Sequence, residues 1–137
     1  MRFPTLFRSH IARPIIAVHL EALNGDRVYS DVLIDTGADV TLMPMDLADS
    51  LNIDLARSPE VALTSAIGGE CRYRPCEMVL ELRRFPEVIR RRTTVGFTER
   101  TMSYGILGTR GFFEFFRLEY DARVGSVTVE PSGPLPQ

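Results

Sequence analysis

Apolar and polar residues alternate along most of this chain, with the period of two that is typical of β-strands with one buried face. Over residues 14–22, one face carries three large aliphatic side chains, those of Ile16, Val18 and Leu20. The dipeptide Asn24-Gly25 follows, and both of its residues accept positive φ, so it predicts a tight hairpin turn. We therefore expect a second strand to return over residues 27–34.

The β pattern continues in shorter segments toward the C-terminus, at residues 61–82, 88–97, 104–108 and 117–130. Pro44 precedes a segment (residues 45–51) that favours a short helix, because a proline in the first turn lacks only an N–H that would be unpaired anyway. A second helical turn is predicted around the four phenylalanines of residues 112–116. The fold class is mainly β, a small barrel or sandwich with one or two short helices.

The length of 137 residues allows one globular domain, which we place at residues 14–130. Residues 1–13 are interpreted as an N-terminal extension and residues 131–137, with three prolines, as a flexible tail. No segment resembles a signal peptide or a membrane span, so the expected location is cytoplasmic.

The charge of the chain argues against nucleic acid as its partner. The formal net charge is -2, whereas proteins that bind a phosphate backbone normally carry a basic excess. The arginines at 83–84 and 90–92 are interpreted as the protection of a solvated edge strand. The only two histidines, His10 and His19, both precede the first hairpin, which disfavours a metal site or a Ser-His or Cys-His pair. Cys71 and Cys76 are expected to remain reduced, because their odd spacing points them to opposite faces of a strand.

The stretch from Val32 to Pro44 carries the candidate chemistry. Asp35 follows three large apolar residues at the end of a strand whose pattern predicts burial, where a carboxylate needs dedicated partners. Gly37 allows an immediate turn that brings its N–H within reach of that carboxylate, and the Thr36 hydroxyl adds another polar group. Asp-Thr-Gly is also good turn chemistry, so an Asx-type turn without any catalytic role remains an alternative.

Three features, in this order, resemble the retropepsin-like aspartic proteases, the single-domain relatives of pepsin. The first is Leu33-Ile34-Asp35-Thr36-Gly37-Ala38 with Asp39 following. The second is a glycine-containing hairpin in the position of the family's flap, Ala66-Ile67-Gly68-Gly69. The third is Ile106-Leu107-Gly108 followed by aromatic residues. The resemblance covers residues 14–130 and implies a retropepsin-like acid-protease half-barrel.

The resemblance also implies an activity, the hydrolysis of peptide bonds by a water that two aspartates activate, without a metal or other cofactor. The chain has one Asp-Thr-Gly, so the second aspartate would come from a second copy in a homodimer. The substrate would be a peptide or protein with apolar residues beside the scissile bond.

The resemblance assigns the remaining site residues by position. Four residues would support the dyad: Thr36, Gly37, Ala38 and Asp39. The hairpin tip, Ala66 to Gly69, would close over substrate, and Ile106, Leu107 and Gly108 would buttress the catalytic loop. Many members carry Arg directly after the third motif's glycine, where it pairs with the acidic residue of the first motif. Here Thr109 stands at that place, which leaves Arg110 as the candidate partner of Asp39.

Two alternatives to a protease stay open. A retropepsin-fold module that binds or dimerises without proteolysis would share the motifs, since a fold does not fix a function. An unrelated β-barrel that binds a ligand would use Asp-Thr-Gly only as a turn. Cleavage of peptides that depends on Asp35 separates the protease from both.

Overall fold

The computed structural model describes residues 1–4, 6–8, 11–64 and 70–133. Within them the chain forms twelve strands and one helix, in the order β1 (Arg2–Pro4), β2 (Leu6–Arg8), β3 (Ile11–Arg13), β4 (Ile15–Ala22), β5 (Arg27–Ile34), β6 (Leu42–Pro44), α1 (Met45–Ser50), β7 (Val61–Thr64), β8 (Glu70–Arg84), β9 (Glu87–Thr98), β10 (Gly105–Leu107), β11 (Phe116–Asp121) and β12 (Ser126–Pro131). The predicted mainly β class is confirmed.

The largest sheet closes into a barrel. Its strand order is β4-β5-β10-β6-β9-β8-β7, and additional pairing of β4 with β8 closes the ring, which leaves only β7 outside. The predicted hairpin joins β4 to β5, and Gly25 has φ 96° in its turn. The inward residues of the strands are fully buried, among them Val18, Leu20, Leu80 and Phe97. Apolar burial inside this ring is the main stabilising term of the fold.

A smaller sheet packs beside the barrel, with the order β1-β12-β11. Its middle strand pairs with β1 on one side and with β11 on the other, both antiparallel. Phe3 of β1 is 4% exposed and belongs to the main core, so residues 2–4 pack as part of the folded body. The tail residues 134–137 lie outside the described residues, and the domain limits at 14 and 130 stay a prediction.

The helix α1 begins directly after Pro44, as predicted, and no helix among the described residues is long and apolar enough to cross a membrane. The segment 112–116 forms a single helical turn, in which the Phe116 N–H donates to the Phe112 carbonyl four residues back at 3.1 Å. Phe113 and Glu114 donate to carbonyls five residues back, those of Gly108 and Thr109, so the turn does not extend into a regular helix. Phe112 is fully buried there and stacks on Phe116 with 5.0 Å between ring centroids.

The two cysteines lie on β8, and His19 lies on β4. Cys71 and Cys76 are both free, and burial, with a smaller contribution from Glu77, raises the pKa of the Cys76 thiol. His19 is half-buried on β4 and packs edge-on against Tyr29, with 5.0 Å between ring centroids. His10 lies outside the described residues.

Arg83 and Arg90 of the β8–β9 hairpin are exposed, as expected, but they also contact a buried carboxylate. Glu81 is 0% exposed on the outer face of the barrel. Its two oxygens accept hydrogen bonds from Arg27 at 2.8 Å, Arg83 at 3.0 Å and Arg90 at 2.6 Å. Burial by itself would raise the pKa of Glu81, but the hydrogen bonds from Arg83 and Arg90 and the charge of Arg27 outweigh it and lower the pKa.

Candidate active site

Asp35 stands at the point where β5 leaves the barrel. Val32 and Ile34 before it are 0% and 4% exposed, whereas Asp35 itself is half-buried. The backbone N–H of Asp35 donates to the carbonyl of Leu107 at 3.0 Å, which ties the strand end to β10. The end of the strand is buried, as its pattern predicted, while the Asp35 side chain emerges half-buried directly after it.

The segment 35–39, which we call the Asp35 loop, folds back on its own carboxylate. The Gly37 N–H donates to Asp35 Oδ1 at 2.9 Å, as the sequence predicted, and the Ala38 N–H donates to the Asp35 carbonyl at 3.1 Å. A Cβ on Gly37 would stand 3.3 Å from Asp35 Oδ1, which is tight enough to favour glycine. Thr36 is exposed, and its hydroxyl has no hydrogen-bond partner among the described residues.

β10 lies directly beside the Asp35 loop. It runs parallel to β5, with Ile106 opposite Leu33, and antiparallel to β6, with Ile106 also opposite Leu42. Leu107 is fully buried, whereas Ile106 is half-buried. A Cβ on Gly108 would stand 2.7 Å from the Val40 carbonyl carbon and 2.8 Å from the Ala38 oxygen, so the two backbones touch where only glycine fits. The geometry places the third sequence motif against the first.

Asp39 and Arg110 are joined through their main chains. The Arg110 N–H donates to the Asp39 carbonyl at 2.9 Å, and the Thr109 N–H donates to the Ala38 carbonyl at 2.9 Å. Asp39 and Arg110 are both exposed, and no ion pair between them occurs in the part of the chain that the structure describes. Arg110 thus anchors the far end of the Asp35 loop by its backbone.

The predicted flap falls on the hairpin that β7 and β8 form. β7 pairs antiparallel with the start of β8, from Val61 opposite Tyr73 to Thr64 opposite Glu70. The tip residues, Ala66 to Gly69, lie outside the described residues. At the base, Tyr73 is 8% exposed and packs over Gly96, where a Cβ would stand 2.5 Å from the ring.

A comparison with protein families identifies the family of this chain. A family model described as aspartyl protease matches residues 21–110, which include the Asp35 loop, the β7–β8 hairpin and β10. The chain belongs to the aspartyl protease family.

A comparison with solved structures bears on the fold. A retropepsin-like aspartic protease from Rickettsia conorii matches with a TM-score of 0.62 at 15% identity, covering 95% of this chain and 98% of that chain. The expected retropepsin-like fold is thereby confirmed. EIAV protease in complex with the inhibitor HBY-793 matches with a TM-score of 0.42 at 19% identity, covering 75% and 88% of the two chains. No curated protein sequence matches the chain.

Thr41, close to the Asp35 loop, makes several contacts that were not predicted from the sequence. Thr41 is 1% exposed, its Oγ1 accepts the Gly108 N–H at 3.1 Å, and its carbonyl accepts the Gly96 N–H at 2.9 Å. Its own N–H donates to the Arg110 carbonyl. The only signal in the sequence is a threonine between two apolar residues, Val40 and Leu42, and that signal names no partner.

A cleft of about 710 Å³ opens at the base of the β7–β8 hairpin and does not include Asp35. Its lining alternates acidic and basic side chains, among them Glu60, Glu70, Arg72 and Arg100. The Arg72 guanidinium hydrogen-bonds Glu60 and pairs with Glu70, which raises the pKa of Arg72. No group of three or more His, Cys, Asp or Glu in the described ranges could hold a metal ion.

Proposed function

We propose that this protein is an aspartic endopeptidase that works as a homodimer, with Asp35 of each chain forming the catalytic dyad. The observation that carries the proposal is the setting of the Asp35 carboxylate. Oδ1 accepts the Gly37 N–H, while Oδ2 has no hydrogen-bond partner among the described residues. One oxygen is held in place and the other is open to a second carboxylate, a water or a substrate.

The dyad explains why a chain with a single Asp-Thr-Gly would need a second copy. Two carboxylates about 3 Å apart cannot both ionise, so they share one proton. The ionised carboxylate takes a proton from a water while that water attacks the scissile carbonyl carbon. The protonated carboxyl donates a hydrogen bond to the carbonyl oxygen. The other carboxyl then passes the proton that it took from the water to the leaving amine as the C–N bond breaks, which restores the dyad to one shared proton. No covalent bond to the enzyme forms in this sequence.

The surroundings of the Asp35 loop support a preference for apolar side chains on either side of the scissile bond. A small apolar cluster continues from the loop, with Val40 and Leu42 buried and Met102 packed against them. Ile106 adds a half-buried aliphatic side chain next to Leu42. In this proposal the tip of the β7–β8 hairpin closes over the peptide and excludes water.

The exposed Thr36 hydroxyl fits the role that the resemblance implies for it. In the proposed homodimer it bonds across the two-fold axis to the loop of the second copy, which holds the two carboxylates in register. Gly37 and Ala38 keep the loop narrow enough for two copies to meet. Asp39 and Arg110 support the loop from its far end.

The decisive experiment compares Asp35→Asn with Asp31→Asn on a mixture of unbiased peptides at about pH 3 to 8. Asp31 is an exposed residue of the same strand and has the same side chain, so it is the matched control. We expect Asp35→Asn to lower cleavage by about 10²–10⁴-fold or more, and Asp31→Asn to keep it. A pepstatin-type inhibitor should block the wild type.

An intact peptide mixture at every pH, or equal cleavage by Asp35→Asn, would overturn the proposal. If the protein dimerises in solution but cleaves nothing, the retropepsin-fold module without proteolysis becomes the better description. A protease and such a module would share every structural feature described above and would differ only in whether they cleave peptides.

A further inference from the structure

The turn between β8 and β9 carries a phenylalanine that almost nothing covers. Phe85 is 95% exposed, more than any other large hydrophobic side chain in the described part of the chain. Val88, just after the turn, is 47% exposed. Strand pairing continues as far as Arg84 opposite Glu87, so only Phe85 and Pro86 stand beyond the last pair. The turn, which we call the Phe85 tip, is therefore narrow and convex, with an aromatic side chain at its end.

The hairpin that ends in the Phe85 tip is strongly basic. Residues 81–92 contain five arginines and two glutamates, a net charge of +3 in a chain whose net charge is -2. Arg83 and Arg84 directly precede Phe85, and both are exposed. Arg83 pairs with the buried Glu81, whereas Arg84 has no ion pair among the described residues. The aromatic side chain thus stands beside a local excess of positive charge.

Contacts with β1 hold the tip against the folded body and bring another arginine to it. Arg84 Nε donates to the carbonyl of Arg2 at 3.0 Å, and the Arg84 guanidinium lies 5.9 Å from the ring centroid of Phe3. Phe3 belongs to the main core. Arg2 is exposed and hydrogen-bonds the Ser126 hydroxyl at 3.2 Å, and no carboxylate in the described ranges pairs with it. Two arginines without an ion pair therefore lie at the base of the tip.

We propose that the Phe85 tip docks on the surface of an anionic lipid bilayer. Phe85 inserts at the level of the headgroups, and Arg2 and Arg84 lie against the lipid phosphates. Aromatic side chains are enriched at the membrane–water interface, and arginines near the surface are attracted to anionic lipids. Glu87 opposes this attraction, but the arginines around it outnumber it. The binding is peripheral and reversible, because the apolar part that enters the bilayer is small.

The shape of the tip favours a bilayer over another macromolecule. A stable protein interface buries about 800 Å² on each partner, which a turn of two residues cannot supply. Proteins that bind single-stranded nucleic acid carry their aromatic residues in a basic groove that follows the backbone, whereas Phe85 stands at a convex end. A bilayer accepts a protruding side chain without a complementary pocket.

The Phe85 tip and the proposed flap lie at opposite ends of the same strand. β8 begins at Glu70, directly after residues 66–69, and ends fifteen residues later at Arg84. Docking at the tip uses no residue that the proposed function assigns to the dyad or to substrate. The inference therefore goes beyond the proposed protease activity and stands without it.

The test measures binding of the whole chain to lipid vesicles by co-sedimentation. One set of vesicles is phosphatidylcholine alone, and the other is an equimolar mixture with anionic phosphatidylglycerol. We expect binding to the anionic vesicles at low salt that is about tenfold or more stronger than to the neutral ones, and that is lost at high salt. Phe85→Ser and Arg84→Glu should each lower the partition coefficient about tenfold. Both side chains are exposed, so the fold is expected to tolerate the changes.

Two control variants make the same changes far from the tip. Leu23 is 59% exposed and follows the end of β4, where the pairing with β8 has reached Met78, seven residues before Phe85. Arg57 is exposed, and the residue after it hydrogen-bonds β8 at Pro75, ten residues before Phe85. Leu23→Ser removes an exposed apolar side chain, and Arg57→Glu changes the net charge as much as Arg84→Glu does. Both should bind the anionic vesicles as the wild type does.

Insertion of the tip can be observed directly, because the chain contains no tryptophan. The fluorescence of Phe85→Trp should move to shorter wavelength when anionic vesicles are added, and that of Leu23→Trp should not. The proposal is overturned if the wild type does not bind anionic vesicles at low salt, if Phe85→Ser binds as well as Leu23→Ser, or if the emission of Phe85→Trp does not move. Release of the bound protein from the vesicles by a single-stranded oligonucleotide that binds through Phe85 would assign the tip to nucleic acid instead.

Discussion

The buried hydroxyl of Thr41 accepts a hydrogen bond from the backbone N–H of Gly108, with 3.1 Å between oxygen and nitrogen. This bond joins the chain that leaves the Asp35 loop to the end of β10. Both residues are inaccessible to solvent, so no water can replace the bond if the hydroxyl is removed. The pair links the first and third sequence motifs by a contact that neither motif contains alone.

We predict that Thr41→Val lowers the free energy of unfolding by about 1–3 kcal/mol, because it leaves a buried N–H without a partner. Thr41→Ser keeps the hydroxyl and should lose less than Thr41→Val. Urea denaturation measures the free energy of unfolding of both variants. An unchanged dependence of this free energy on the urea concentration shows that their unfolded states are comparable. A loss in Thr41→Val no larger than that in Thr41→Ser would contradict the hydrogen bond as the main contribution of this side chain.

Gly108→Ala tests the close approach between β10 and the Asp35 loop. The added methyl group would meet the backbone of Val40 and Ala38 at less than 3 Å, and backbone cannot move aside as a side chain does. We expect a loss of about 1–3 kcal/mol or more in unfolding free energy, together with a loss of peptide cleavage. Gly133→Ala has nothing within 4 Å of the new methyl group and is the control. Near-equal stability of the two variants would contradict the packing.

Glu81→Gln tests the buried carboxylate that three arginines surround. Because its pKa is lowered in the folded state, ionised Glu81 stabilises the fold above its unfolded pKa of about 4.3, and this stabilisation is lost as the pH falls through the folded pKa. We expect Glu81→Gln to cost about 2 kcal/mol at pH 7, since the partner arginines are only partly buried.

The pH series supplies the check for Glu81. The difference between wild type and Glu81→Gln should shrink as the pH is lowered below about 4. Glu77→Gln breaks the exposed pair with Arg92 instead and should cost between about 0 and 1 kcal/mol. A difference that is constant with pH would show that the charge of Glu81 is not the stabilising feature.

Ala38→Ser tests how the loop sets the pH range of the reaction. A hydroxyl at this position could hydrogen-bond a carboxylate and favour its ionised form, which the methyl group of Ala38 cannot do. We therefore expect the rate maximum of Ala38→Ser to lie at lower pH than that of the wild type. Ala38→Gly, which also lacks a hydroxyl, should keep the wild-type profile. A wild-type maximum below about pH 3 would contradict the argument.

Dilution tests the need for two chains. If each active site takes one Asp35 from each copy, the activity per chain should fall once the concentration drops below the dimer dissociation constant. The midpoint of the loss should match the dissociation constant from sedimentation. Activity per chain that is independent of dilution, in a sample shown to be monomeric, would exclude a shared dyad.

The sequence predicted those features that depend on neighbours along the chain. The β4–β5 hairpin follows from the alternation around Val18 and from Asn24-Gly25, and the contact between Gly37 and Asp35 follows from a two-residue turn. The helical turn at residues 112–116 was also predicted, and the Phe116 N–H donates to the Phe112 carbonyl within it.

Features that depend on register between distant strands were not predictable. Glu81 appears in the sequence as one charge among many, and only strand pairing brings Arg27 and Arg90 to it. The same holds for Thr41 and Gly108, which are 67 residues apart. Alternation shows which face of a strand is buried, but it does not show which strand lies opposite.

The short strand β10 has a consequence for the order of folding. It has three residues and lies in the sheet between β5 and β6, which are both synthesised well before it. Contacts of large sequence separation form slowly, because the intervening chain must first be closed into a loop. Until residues 105–108 arrive, Asp35 has no partner for its backbone N–H and Gly108 is not against the loop. We expect the Asp35 loop to gain its final shape only when most of the chain has been made, so a nascent chain would carry Asp35 without its final surroundings.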